Sequence, residues 1–170
     1  EHGASRFMML LALVALTLAK ATSRSELVVG TTVTGRARPE LEGLVGYFVN
    51  LLALPLSVGA RATVSDALAE CRGVLLDAFA HSEAPFDHVV AELDPPRVPG
   101  RMPIVDVMVN YDDAGSDDLD FGPVRGRRVR LEAMRTRNPL SITFRELDSE
   151  LQCELVYDTA LVEDGRAEAL

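Results

Sequence analysis

Two hydrophobic periods alternate along the chain, and their order predicts an architecture. Ser5 is placed to cap a helix running to about residue 21 that is apolar on nearly all sides, a central helix covered on more than one face. Residues 27–34 are rich in β-branched side chains and bounded by Ser25 and Gly35, which predicts a strand buried on both faces. Over 51–58 the period falls to two, with Leu52, Leu54, Leu56 and Val58 on the core side of a pleat and Leu51, Ala53, Pro55 and Ser57 on the other. Thr63 and Asp66 make a capping-box start for a helix with the stripe Val64, Leu68, Cys71, Leu75 and Phe79. A further helix opens at Pro85, carries Phe86, Val89, Val90 and Leu93 on one side, and is stopped by Pro95-Pro96.

Strands follow. Residues 104–111, 124–134, 140–144 and 151–157 each read as one, the last pair joined by a polar turn at Asp148-Ser149. In the final strand Leu151, Cys153, Leu155 and Tyr157 are predicted to face in, Gln152 and Glu154 to face out. The polar stretch 112–120 is expected to be a mobile loop. The sum is an α/β fold, one mixed β-sheet with helices packed on it, forming one domain over residues 1–170 without internal repeats.

Composition narrows the partners. A chain of 170 residues supports one cored domain, and 48% hydrophobic with 25% charged residues is ordinary for a folded protein. A formal net charge of -9 argues against general phosphate-backbone binding, so no nucleic-acid partner is expected. The apolar run 7–16 falls short of the roughly 20 residues a membrane span needs and lacks a basic n-region, so no membrane partner is expected. Cys71 and Cys153 show neither CxxC nor metal spacing, which suits reduced core thiols in a cytoplasmic protein; a structural disulfide is the alternative. Lys20 is the one lysine among 17 basic residues, a bias that fits a GC-rich bacterial genome. The start without Met and the end inside a helical pattern suggest a fragment of something longer.

Candidate metal or acid–base chemistry is thin. His81 and His88 beside Asp87 straddle a helix start with too few ligands for a metal. The acids at 112, 113, 117, 118 and 120 lack the glycine and closing glutamate of a calcium loop. No catalytic or metal residue is assigned.

Four groups of residues, in order, carry a family resemblance. They are Gly3-Ala4-Ser5-Arg6-Phe7-Met8 with Val28-Val29-Gly30-Thr31-Thr32-Val33-Thr34-Gly35-Arg36, then Gly46-Tyr47-Phe48-Val49-Asn50. His81-Ser82-Glu83-Ala84-Pro85-Phe86-Asp87 with Arg97, Arg101, Pro103 and Ile104 form the third, and Leu140-Ser141-Ile142 with Leu155-Val156-Tyr157 close the set. Together they resemble the C-terminal lobe of a nonribosomal peptide synthetase condensation domain, whose two lobes are each similar to chloramphenicol acetyltransferase. The resemblance implies amide-bond formation between a carrier-bound donor thioester and an acceptor amine. It implies as partners an N-terminal lobe and donor and acceptor carrier proteins, with the carriers' phosphopantetheine arms entering a tunnel between the lobes.

The family's HHxxxDG motif belongs to the N-terminal lobe and nothing in this chain matches it, so the chain alone is expected to be inactive. Tyr47, Asn50, Leu51 and Pro55 are the candidate tunnel residues. Asn50 either orients substrate or satisfies backbone groups at a loop-to-strand junction, and Arg36 is a candidate for the lobe interface or for a plain structural ion pair. Leu51 and Pro55 stand where the family usually has Thr and Arg, and period-2 geometry puts both changes on one side of a strand. That loss motivates a second reading, a non-catalytic condensation-like platform that recruits carrier proteins or tailoring enzymes. A third is a stand-alone acyltransferase of the same superfamily. The basic strand at Arg125, Arg127, Arg128 and Arg130 balances the acids before it or contacts a carrier protein.

Overall fold

The structure, a computed structural model, describes residues 3–59, 61–115, 118–127, 129, 136–147 and 150–167. Helix α1 (Arg6–Thr22) begins where Ser5 Oγ accepts the Met8 N–H at 3.2 Å, and the Ser5 N–H donates back to the Met8 sulfur at 3.4 Å, a thioether filling the place of the usual Glu or Gln. Strand β1 (Glu26–Val33) leads through a single 3-10 turn at Pro39–Leu41 to β2 (Asn50–Ser57). Helix α2 (Val64–Ala80) has the predicted box: the Thr63 N–H and hydroxyl reach Asp66 Oδ2 at 2.9 and 2.7 Å, and the Asp66 N–H returns to Thr63 Oγ1 at 3.2 Å. Those bonds hold the Asp66 carboxyl below its ordinary range. Then come α3 (Phe86–Leu93), β3 (Val107–Gly115), β4 (Asp118–Asp120), β5 (Arg125–Arg127), β6 (Leu140–Leu147), β7 (Glu150–Tyr157) and α4 (Asp164–Ala167).

Five strands form one mixed sheet in the order β2-β1-β3-β6-β7. The central β1, β3 and β6 run parallel, and β2 and β7 are antiparallel edges. Helices α1 and α2 cover one face. Leu11, Ala12 and Ala15 of α1 meet Cys71 and Leu75 of α2 and Leu54, Leu56 and Val109 of the sheet, all fully buried or nearly so. The predicted alternation of β2 holds, with Leu52, Leu54, Leu56 and Val58 in the core.

Several expectations change, and in each case coverage decides. β1 is not buried on both faces: Val29 and Thr31 point into the helices, while Val28 on the other side is 38% exposed. Gly30 is tight because Val105 and Met108 crowd over it; a Cβ there would lie 2.6 Å from Val105 Cγ1. In α2 only Leu68, Cys71 and Leu75 of the stripe are buried, since Val64 and Phe79 overhang the ends. α3 buries none of its apolar side fully. The stretch 112–120 is mostly strand, β3 running to Gly115 and β4 following, because β6 supplies pairing partners, Asp112 lying opposite Arg145. Of the predicted strand 124–134 the described part is β5, which pairs with β4; residues 128 and 130–134, like the Asp148-Ser149 turn, lie outside the described residues.

In β7 the inward direction of Leu151 and Cys153 is as predicted but their burial is not. Both are exposed, because α1 runs alongside them and leaves open grooves, Leu10 lining one with Leu151 and another with Cys153. Among the described residues no helix is long and apolar enough to cross a membrane.

Candidate functional site

The segment 46–50 is a clasp whose alternate residues turn inward. Gly35, at φ +63°, leaves β1 so tightly against the Phe48 carbonyl that a Cβ would overlap it. Arg36 then closes the loop: its guanidinium donates to the Leu41 carbonyl oxygen and to that of Gly46 at 3.4 Å, and lies 4.3 Å from the centre of the Phe48 ring. The Arg36 charge is thus spent on backbone oxygens and an aromatic face within its own loop. Phe48 sits beneath it, whereas Tyr47 is 89% exposed and Val49 is also exposed.

Asn50 holds the far end. Its Nδ2 donates to the carbonyl oxygens of Ser82 at 2.9 Å and Ala84 at 2.7 Å, and its Oδ1 accepts the Phe86 N–H at 3.1 Å. Phe86 is the first residue of α3, and Pro85 before it offers no capping side chain. A strand residue therefore caps a helix from 36 positions away. Three of the four bonding positions of the amide are committed to protein. His81 closes α2 on the same turn, its Nδ1 2.9 Å from the Asp77 carbonyl oxygen.

Leu51 and Pro55 leave β2 on the side away from α1 and α2, Pro55 exposed and Leu51 half-buried. The sheet register extends this side into a polar row. Thr32 lies opposite Leu51, and Asn110 opposite Thr143. Asn110 Oδ1 accepts both the Thr32 N–H at 3.1 Å and the Thr32 hydroxyl at 2.9 Å, where the β1–β3 backbone ladder has stopped after Gly30 and Met108. Farther along, the Arg145 guanidinium sits 3.5 Å from Asp112 and 3.7 Å from Glu154. Thus Leu51 joins a line of polar groups, while Tyr47 lies on the clasp's outer surface and Arg36 within it.

A third arrangement lies on the helix-covered side at the carboxyl ends of the parallel strands. Glu146 Oε2 accepts from the Tyr111 hydroxyl at 2.6 Å and pairs with Arg6 at the start of α1. The Arg6 bond first and the Tyr111 bond second hold the Glu146 carboxyl below its ordinary range, and Arg6 is raised in turn. A cavity of about 300 Å³ lined by Phe7, Thr32, Phe79 and Tyr111 lies near it. A wider cavity, about 870 Å³, lies between α3 and residues 96–106.

Sequence reasoning missed three polar anchors. Asn110 interrupts the apolar run Val107-Met108-Val109, which is the signal it gave. Asn138 is 6% exposed and donates to the Val105 carbonyl oxygen at 3.0 Å, tying the entry of β6 to the segment over Gly30. Glu146 reads as a solvent residue in sequence because its partners are 35 and 140 positions away. Both cysteines are free thiols, Cys71 buried and Cys153 exposed, which corrects the expected core placement of Cys153. Burial, with Glu70 second, pushes Cys71 up to about 11. Among the described residues no three His, Cys, Asp or Glu side chains gather as a metal site.

Comparison with known proteins gives consistent matches. The family model described as Condensation domain matches residues 1–169. Malpinin synthetase of Mortierella alpina is 31% identical over 161 residues, 95% of this chain but 2% of that protein. Two solved structures share the fold. The X-domain in complex with OxyB from teicoplanin biosynthesis has TM-score 0.81 at 20% identity, over 98% of this chain and 37% of that one. The first condensation domain of the CDA synthetase has TM-score 0.73 at 21% identity, over 99% of this chain and 37% of that one. The chain therefore spans well under half of each.

Proposed function

The chain belongs to the condensation-domain family of nonribosomal peptide synthetases, and from that premise we propose that it is the C-terminal lobe of such a domain. In this reading it forms half of a tunnel in which an amide bond joins a carrier-bound donor thioester to a carrier-bound acceptor amine. The observation that carries it is the unbroken family match over residues 1–169 at little more than a third of the length of a solved condensation domain. The chain has no HHxxxDG and no paired histidines at all. Amide formation needs two reactants held together, a route for a proton, and stabilisation of the developing oxyanion. This lobe supplies the first: a rigid sheet wall, a clasp that fixes where β2 starts, and Asn50 setting the position of α3. The N-terminal lobe supplies the histidine, and donor and acceptor carrier proteins deliver substrates on phosphopantetheine arms.

The test is turnover with loaded donor and acceptor carriers, followed by mass spectrometry of the released product. No amide is expected from the 170-residue chain alone, and product is expected once it is joined to its N-terminal lobe. Product from the chain alone would sink the reading.

A second reading is a platform that recruits another protein. It is favoured by the fold-relative recorded in complex with OxyB and by Leu51 and Pro55, which put apolar side chains at two positions on the β2 side of the wall. A joined two-lobe protein that binds carriers yet makes no amide would favour it.

A further inference from the structure

We propose that Asn110 and Thr143 form a hydrogen-bond donor site on the open face of the sheet, one that takes a neutral carbonyl oxygen of a carrier-linked substrate. The inference rests on the reading that such substrates pass along this face.

The orientation of the Asn110 amide is fixed by its neighbour. The Thr32 backbone N–H can only donate, so the atom 3.1 Å away from it must be the oxygen. The Thr32 hydroxyl, 2.9 Å from the same atom, completes that oxygen's acceptor capacity. The nitrogen must then point away from Thr32, carrying two donors. Neither makes a hydrogen bond among the described residues, and the Thr143 hydroxyl, directly across the β3–β6 register, makes none there either. These are positions on β3 and β6, two of the three central strands, on the face away from α1 and α2, where both side chains are half-buried.

The row around them defines what fits. On one side, beyond Thr32, is Leu51, an apolar side chain. On the other is Glu154, already held by Arg145. A group that accepts two hydrogen bonds, carries no charge and has apolar atoms beside it is an amide or thioester carbonyl. An anion is disfavoured by Asp112 and Glu154, and an ammonium would meet the donor-only amide nitrogen of Asn110 and would have to compete with Arg145 for those two carboxylates.

Asn110→Asp separates this role from a structural one. An aspartate keeps an oxygen where both Thr32 bonds need it while the two donors vanish; it also adds a charge in the row of Asp112 and Glu154, which costs some stability and is controlled by the uncharged second variant. Thr143→Val removes the second donor at constant shape and stands if the first variant does not fold. The protein to use is the complete condensation domain containing this chain. Its probes are pantetheine alone, which offers the carbonyls of the arm, and an amide-linked isostere of dipeptidyl pantetheine, which adds those of the substrate; calorimetry reads Kd. Each variant is expected to bind one or both probes roughly fivefold to tenfold more weakly, the cost of a lost hydrogen bond, and Thr143→Val to do so with its melting temperature unchanged. Weakening on pantetheine places the contact on the arm, and weakening on the dipeptidyl probe alone places it on the substrate. Folded variants that bind both probes as tightly as wild type overturn the proposal. Parallel turnover keeps the two readings apart. A domain whose Kd depends on Asn110 but which forms no amide fails the proposed function and retains this site; an active domain with unchanged Kd values fails only this site.

Discussion

β2 and β7 are the two edges of one sheet and carry the same apolar alternation, yet their surroundings are opposite. On β2, Leu54 and Leu56 are fully buried under α2, and Asn50 ties the start of the strand to the α2–α3 turn. On β7, Leu151 is 52% exposed, and Cys153 and Leu155 line a shallow apolar groove of about 190 Å³ beside α1. A period of two fixes which way a side chain points, because the pleat does so geometrically. Whether anything covers it depends on elements far away in sequence.

The two thiols give that contrast its largest readout. Cys71 is fully buried with its thiol pushed up to about 11, so a reagent reaches it only when the core opens. Cys153 is raised by burial as well but remains exposed at the uncovered edge. Under native conditions Cys153 is expected to react with a maleimide on the order of 1,000-fold faster or more, given ordinary opening energies; peptide mapping of the labelled chain assigns the sites. Equal rates would break the contrast. Protection of Cys153 in the complete domain but not in this chain would show that a further element covers β7.

The next effect is at the clasped edge. Asn50→Ala leaves two carbonyl oxygens and the first N–H of α3 without their partner, and is expected to cost about 1–2 kcal/mol in urea unfolding, since the site is only partly buried. An unchanged midpoint would free Asn50 for a role other than capping.

How far the sequence foretold this is uneven in a physically consistent way. The cap at Ser5 and the capping box at Thr63 were legible because their partners are three residues away. The β2 alternation was legible because the strand lies under a helix of its own neighbourhood. Asn50 was visible as a junction residue, and its partners turn out to be protein backbone, which takes three of its four bonding positions. The Asn110–Thr32 bond spans 78 positions, which no local pattern encodes. Arg36 looked like half of an ion pair, and its partners are instead backbone oxygens and the Phe48 ring.

The smallest expected effect lies between the two edges, where Glu146 joins β6 to α1 through Arg6 and to β3 through Tyr111. Its folded value is depressed below 4.5, chiefly by the Arg6 bond, so the ionised form is favoured by folding. The stabilisation is therefore fully present above the unfolded value, near pH 4.5, and is lost as pH falls through the lower folded one. Urea midpoints followed from about pH 7 to about pH 3 should fall on the acid side in wild type and fall less steeply in Glu146→Gln, which still accepts from Tyr111 but has no charge to lose. Some acid slope should survive in that variant, because the Asp66 carboxyl is also held below its ordinary value, by Thr63, and its contribution is likewise lost on the acid side. Both groups are solvent-accessible, so solvent and salt weaken the effect, and adding salt should shrink the difference between wild type and Glu146→Gln. A variant with the full wild-type slope would mean that this strand-end pair contributes nothing to folding, leaving the covered face of the sheet held by its apolar contacts.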